Sequence, residues 1–194
     1  MHYGGYNMDL LCLEFINSKW YKTHQLFEDP LYSQKWMHDF CEKWKLKEVN
    51  VENIEDMKTL IGLRAFLSEV AVEFCKTKKL SKKAISRLNA YLSPVSYQTL
   101  ESVNNTFQLK TVPKKENMQW ITYQIALSFA ELLTQLDIDR IKLCQNPDCG
   151  WIYYDLSRAG TRKWCDNTCA SLMKVRKFRE RQKERYNEHH LQSK

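Results

Sequence analysis

Four cysteines crowd into 26 residues of this chain in the pattern Cys144-x4-Cys149-x15-Cys165-x3-Cys169. Each close pair brackets a tight turn that can aim two sulfurs at a common point, and two such pairs joined by a loop suit one tetrahedral ion. The expectation is one structural Zn2+ per chain, ligated by Cys144, Cys149, Cys165 and Cys169. Four thiolates close the shell and leave no position for an activated water, so the metal would serve folding in a segment too small for a core of its own. An iron–sulfur cluster uses the same four donors, and four free thiols are the bland alternative. A redox dithiol fits less well, because neither pair has C-x-x-C spacing.

The elements that must position these thiols are written around them. Asn146-Pro147-Asp148 initiates a turn, Gly150 follows the second cysteine, and Ser157-Arg158-Ala159-Gly160 makes a loop tip. Trp151-Ile152-Tyr153-Tyr154 and Arg162-Lys163-Trp164 read as two short strands on either side of that tip. Trp151 and Trp164 are expected to pack around the metal, with stacking on exposed bases as the alternative use of the same rings.

Charge divides at the same place. The 194 residues carry 30 Lys and Arg against 23 Asp and Glu, a formal +7. Arg140 to Arg185 contains 12 basic and 5 acidic residues and so holds the whole surplus, leaving 18 of each sign elsewhere. After Cys169 comes a helical pattern in which Leu172, Val175 and Phe178 form a narrow apolar strip. Lys174, Lys177, Arg181 and Arg185 line one flank of it, and Arg176, Arg179 and Lys183 the other. The strip is expected to dock the helix on the body. The basic flanks, with Arg158, Arg162 and Lys163 on the preceding loop, are expected to contact nucleic-acid phosphates, a solvated surface being the alternative. The Lys76 to Lys83 run lacks any aromatic or metal context and reads as solvated surface.

The remainder reads as a helical body. The apolar segment from Leu10 to near Asn17 is expected to form a short helix, with a strand as the alternative, and Pro30 stands where the next helix would start, carrying Leu31, Trp36, Met37, Phe40, Cys41 and Trp44. The spacing of Ile54, Met57, Leu60, Ile61, Phe66, Leu67, Val70, Ala71 and Phe74 predicts a long helix over 51–77 capped by Asn53. Ser81 caps a shorter one, stopped by Pro94. Leu100, Val103, Phe107, Leu109 and Val112 flank Asn104-Asn105 and predict a small β-hairpin. An apolar helix over 118–135 then leads to the cysteines. The fold class is mainly α with one small hairpin: a helical domain over 1–138, a four-cysteine module with a basic helix over 139–187, treble-clef-like or ribbon-like, and a flexible tail over 188–194.

Composition excludes several classes. Hydrophobic residues make up 43% and Gly and Pro number only 5 and 4, which rules out collagen-like, low-complexity and wholly disordered chains. There is no phosphate-binding glycine loop and no H-E-x-x-H, and the five histidines lack ligand-like spacing, so no enzyme chemistry is visible. Seven cysteines, an odd number, and an N-terminus without a basic leader predict a soluble cytoplasmic protein with reduced thiols, nucleoid-associated where it binds DNA, and without a membrane partner.

The run from Arg140 through Cys144-Gln-Asn-Pro-Asp-Cys149-Gly-Trp, Asp155-Leu-Ser-Arg158 and Arg162-Lys-Trp-Cys165 closely resembles the CGNR-type zinc finger of bacterial transcription regulators. In that family the finger follows an ABATE-type domain. Leu13-Glu14-Phe15-Ile16-Asn17-Ser18 resembles the opening motif of that domain, and Leu63-Arg64-Ala65-Phe66-Leu67 and Leu88-Asn89-Ala90-Tyr91-Leu92 resemble its core helices. One departure stands out: Ala170-Ser171-Leu172 replaces the Gly-Asn-Arg that follows the family's fourth cysteine. The resemblance implies zinc binding and a stress-linked regulator that contacts DNA. RNA is the alternative partner, as in a ribosome-associated zinc protein, and a protein-interaction module with purely structural zinc is a third reading. The two-part layout leaves room for a small-molecule effector on the N-terminal domain and for a homodimer.

Overall fold

A computed structural model of the chain describes residues 8–18, 29–93, 95–103, 106–115 and 117–191. Pro94, the turn at Asn104-Asn105 and the last three residues of the expected tail lie outside them. Six α-helices and four strands follow in the order α1 (Leu11–Asn17), α2 (Gln34–Lys43), α3 (Ile54–Thr77), α4 (Lys82–Tyr91), β1 (Ser96–Val103), β2 (Thr106–Pro113), α5 (Met118–Gln135), β3 (Ile141–Leu143), β4 (Ile152–Tyr154) and α6 (Asn167–Leu191). The strands form two antiparallel pairs, β1 with β2 and β3 with β4.

The helix starts obey their caps. Asn53 accepts from the Asp56 N–H to open α3, Ser81 from Ala84 to open α4, and Asn117 from Trp120 to open α5. Pro30 is the exception to the expected boundaries. It begins a three-residue 3-10 turn, Pro30–Tyr32, in which the Asp29 carboxylate takes the Leu31 N–H. The α-helix starts only at Gln34, because the Ser33 hydroxyl accepts from Trp36 and supplies the cap that Asp29 does not.

The core lies where α1, α3 and α5 meet, around Phe15, Ile16, Leu60, Leu63, Leu67, Ile125, Phe129 and Leu132. Ile141, Ile152 and Tyr154 from the second strand pair belong to the same buried cluster, so the apolar core runs without a break across residue 138. The β1–β2 hairpin pairs Leu100 with Leu109 and leaves both exposed beside Phe107.

Two expectations for the C-terminal part are corrected. The partner of β4 is Ile141–Leu143, in the register Ile141 to Tyr154, and Arg162–Trp164 is not a strand. Backbone bonding explains this: the Lys163 carbonyl accepts from the Gln145 N–H, tying that stretch to the cysteine turn instead of to β4. The apolar strip of α6 does not dock either. Leu172, Val175 and Phe178 remain 47%, 47% and 56% exposed, because the helix leaves the body as soon as its first turn is complete.

Candidate metal centre and the helix it anchors

The four sulfurs of Cys144, Cys149, Cys165 and Cys169 lie within 4.8 Å of one another, and all four residues are buried. Cys149 and Cys165 are separated by 3.8 Å, Cys165 and Cys169 by 3.6 Å. These spacings exceed a disulfide bond of about 2.05 Å by far. A tetrahedron of thiolates about 2.3 Å from zinc has edges of about 3.8 Å. The donor set and its dimensions therefore fit one structural Zn2+.

Each ligand is placed by its own local chemistry. The Cys144 N–H donates to the Trp151 carbonyl at 2.9 Å, continuing the β3–β4 ladder into the first turn. The Asn146 carbonyl accepts from Cys149, its Oδ1 accepts from the Asp148 N–H, and its Nδ2 donates to the Cys169 sulfur at 3.3 Å. A single buried asparagine thus closes the first turn and touches a ligand from the second pair. Cys169 sits in the first turn of α6, where the Asp166 carboxylate accepts its N–H at 2.9 Å. A last ligand carried by a helix is the treble-clef-like arrangement, not the ribbon-like one. Trp151, Trp164 and the fully buried Tyr153 pack on the thiols, as expected for the tryptophans.

The thiols separate into two kinds. Burial pushes the Cys12 thiol up to about 12 and Cys75 to about 11, and Cys41 is raised by the same cause, so these three stay protonated and inert. In the cluster, hydrogen bonds from Cys149 and Cys165 stabilise the Cys144 thiolate, while hydrogen bonds to Cys144 and Cys149, and then burial, oppose ionisation of Cys165. A cation at the centre would offset that mutual opposition and hold all four as thiolates.

The loop from Asp155 to Arg162 is braced from below. Asp155, with no exposed surface, accepts backbone N–H groups from Ser157 and Arg162 at 2.9 Å each and pairs with Lys142 at 3.5 Å. Burial opposes its charge, yet hydrogen bonds from Ser157 and Arg162 and the Lys142 ammonium outweigh that and hold its carboxyl below the usual range. Arg140 donates to the Asp155 and Ser157 carbonyls, and its guanidinium lies against Gly160, whose φ of +60° favours glycine.

Of the cations expected at phosphates, Arg158 and Lys163 are exposed on the loop. Lys174, Arg176, Lys177, Arg179, Arg181, Lys183 and Arg185 are exposed along α6. Arg162 turns inward instead: its guanidinium donates to the Cys165 carbonyl and lies 5.3 Å from the Tyr153 ring centre. With Arg140 and Lys142 also bound internally, nine of the 12 cations of this segment remain on the surface.

Three residues that sequence reading did not single out for the site join it to the body, one of them, Lys78, from the run expected to be solvated surface. The Asn17 side chain donates to the Ile152 carbonyl at 2.7 Å and accepts the Ile152 N–H at 3.0 Å, so one amide acts as a peptide unit against the free edge of β4. Arg64, buried in α3, donates to the Ser18 carbonyl and to both Asp29 carboxylate oxygens, which fixes the end of α1 that carries Asn17. Lys78 donates to the Ile138 and Ile141 carbonyls on the other side. Asn17 and Arg64 lie in two of the three body segments that the sequence singles out, 13–18 and 63–67, which was the available signal.

Among the described residues, no helix is long and apolar enough to cross a membrane. Residues 140–182 match the family model of the CGNR zinc finger. That span contains all four cysteines, both strands of the small pair and the first 16 residues of α6. No curated protein matches the chain.

Proposed function

We propose that the protein is a zinc-dependent DNA-binding transcription regulator whose recognition element is α6. The observation that carries this reading is the combination of a closed four-thiol site and a 25-residue helix growing directly from its last ligand, with seven exposed cations along it. Zinc supplies a fixed base for the helix, and the Asp166 cap and the Cys169 ligand set its direction. The side chains supply the contacts: Lys and Arg neutralise phosphates, and Arg158 and Lys163 extend the contact onto the loop beside the helix. Duplex DNA is favoured over single-stranded nucleic acid because Trp151 and Trp164 are engaged in packing on the thiols and so are drawn away from base stacking. The N-terminal body supplies regulation. A ligand that shifts α1 moves Asn17 and, through it, β4 and the cysteine turn.

Sequencing of nucleic acid that co-purifies with the full chain after crosslinking tests the reading against a Cys165→Ser variant. Enrichment of genomic DNA sites is expected for the native chain, with loss in the variant and after zinc chelation. Enrichment of structured RNA instead would replace DNA by RNA as the partner. No enrichment, or equal enrichment in the variant, overturns the zinc-organised reading.

A further inference from the structure

The uncovered strip of α6 calls for an occupant, and its flanks specify one. At about 100° per residue, Leu172, Val175 and Phe178 span a sector of about 120° centred on Val175. Arg176 and Lys183 stand on one side of it, Lys174, Arg181 and Arg185 on the other, and Arg179 lies within the sector near its first edge. Glu180 and Glu184 fall on the opposite face of the helix, with Lys177 beside Glu184 toward the Arg181 side. An apolar centre, a cationic row on each side and acids at the rear match the cross-section of a B-form major groove, which is about 12 Å wide and has a phosphate strand on either wall. A helix about 10–12 Å across fills that width.

We infer that α6 lies in the major groove of duplex DNA with Leu172, Val175 and Phe178 against thymine C5-methyl groups on the groove floor, its two cationic rows each contacting one phosphate strand. This rests on the DNA-binding reading and adds to it a face, an orientation and a base preference. It also separates DNA from RNA, since an A-form major groove is too narrow and deep for side chains to read. A second copy of α6 suits the strip poorly, because it would bring two strongly cationic rows together. Asp148, 3.5 Å from Arg176 across a groove of about 400 Å³ at the base of the helix, is the acidic group facing this surface from the cysteine turn.

The test uses the zinc-loaded full chain and three duplexes of one A·T-rich sequence: DNA with thymine, DNA with uracil in its place, and RNA. Removing two buried methyl contacts predicts a loss of about fifteen-fold in affinity for the uracil duplex. Phe178→Ala and Val175→Ala, both at exposed positions, should erase the difference between thymine and uracil while leaving the salt dependence of binding unchanged. Arg176→Gln with Lys183→Gln should do the reverse, lowering the log–log salt slope by about two while preserving the thymine preference. DNA binding that ignores both the methyl group and the strip variants overturns the placement and leaves the DNA-binding reading standing. Equal or tighter binding to the RNA duplex overturns it as well, as does strip-dependent binding to anionic phospholipid vesicles with no thymine preference. Absence of binding to any of the three duplexes overturns the underlying reading together with the placement.

Discussion

Helices α3 and α6 have 24 and 25 residues, and they stand at opposite extremes of burial. Nine residues of α3 are buried, among them Leu63 and Leu67 with no exposed surface, and the helix touches α1, α5 and β3. From Leu172 to Tyr186, α6 has no buried residue. Most helical stability in proteins comes from tertiary packing, and an isolated helix is marginal in water. The two therefore persist for different reasons: α3 through apolar contact along its whole length, α6 through a cap and a thiolate at one end. The difference also separates roles, because a helix committed to the core has no face left to offer a partner.

The largest effect that would sharpen this contrast comes from truncating one leucine in each helix. Leu63→Ala leaves a cavity in the core and should cost about 2–5 kcal/mol, whereas Leu172→Ala should change stability by less than about 0.5 kcal/mol. Thermal unfolding of the two variants measures both, and comparable losses would mean that α6 packs on something in solution. Next in size is Asn17→Ala. It strands a buried N–H and a buried carbonyl of Ile152 and should cost about 1–3 kcal/mol. Calorimetry should then show the metal module melting ahead of the helical body, whereas a single transition is expected for the native chain, whose apolar core is continuous.

The smallest effect is a pH dependence. Asp155 has its carboxyl held below 3.8 when folded, so its contribution to stability is fully present above that value and is lost as pH falls further. Asp155→Asn is therefore expected to melt below the native chain at neutral pH, with the gap closing under acid conditions. A gap that is constant with pH would assign the loss to packing alone.

Local signals were legible where cause and effect are close in the chain. The four ligands, the Asn53 and Ser81 caps, the apolar periods of α3 and α5 and the β1–β2 hairpin all follow from residues within a few positions of one another. Pro30 misled because proline suits the start of a 3-10 turn as well as that of an α-helix, and the serine three residues later decides between them. What joins the two parts was not legible. Asn17 and its partner are separated by 135 positions, and Arg64 reaches back 46 to Ser18, so neither bond leaves a periodic trace. The expected docking of the α6 strip failed for a related reason: periodicity reports that a face is apolar and is silent on which surface covers it.

The placement of Cys169 in the first turn of α6 makes the metal site a fulcrum. About 22 residues project beyond that cysteine, a lever of about 33 Å at about 1.5 Å per residue. A tilt of about 10° at the thiolate would sweep the far end through about 6 Å, nearly two base-pair steps of about 3.4 Å. Small changes in how Asn146, Asp166 and the four sulfurs seat one another are thereby magnified along the helix, and Lys183 and Arg185, about 21 and 24 Å out, would move by about 4 Å.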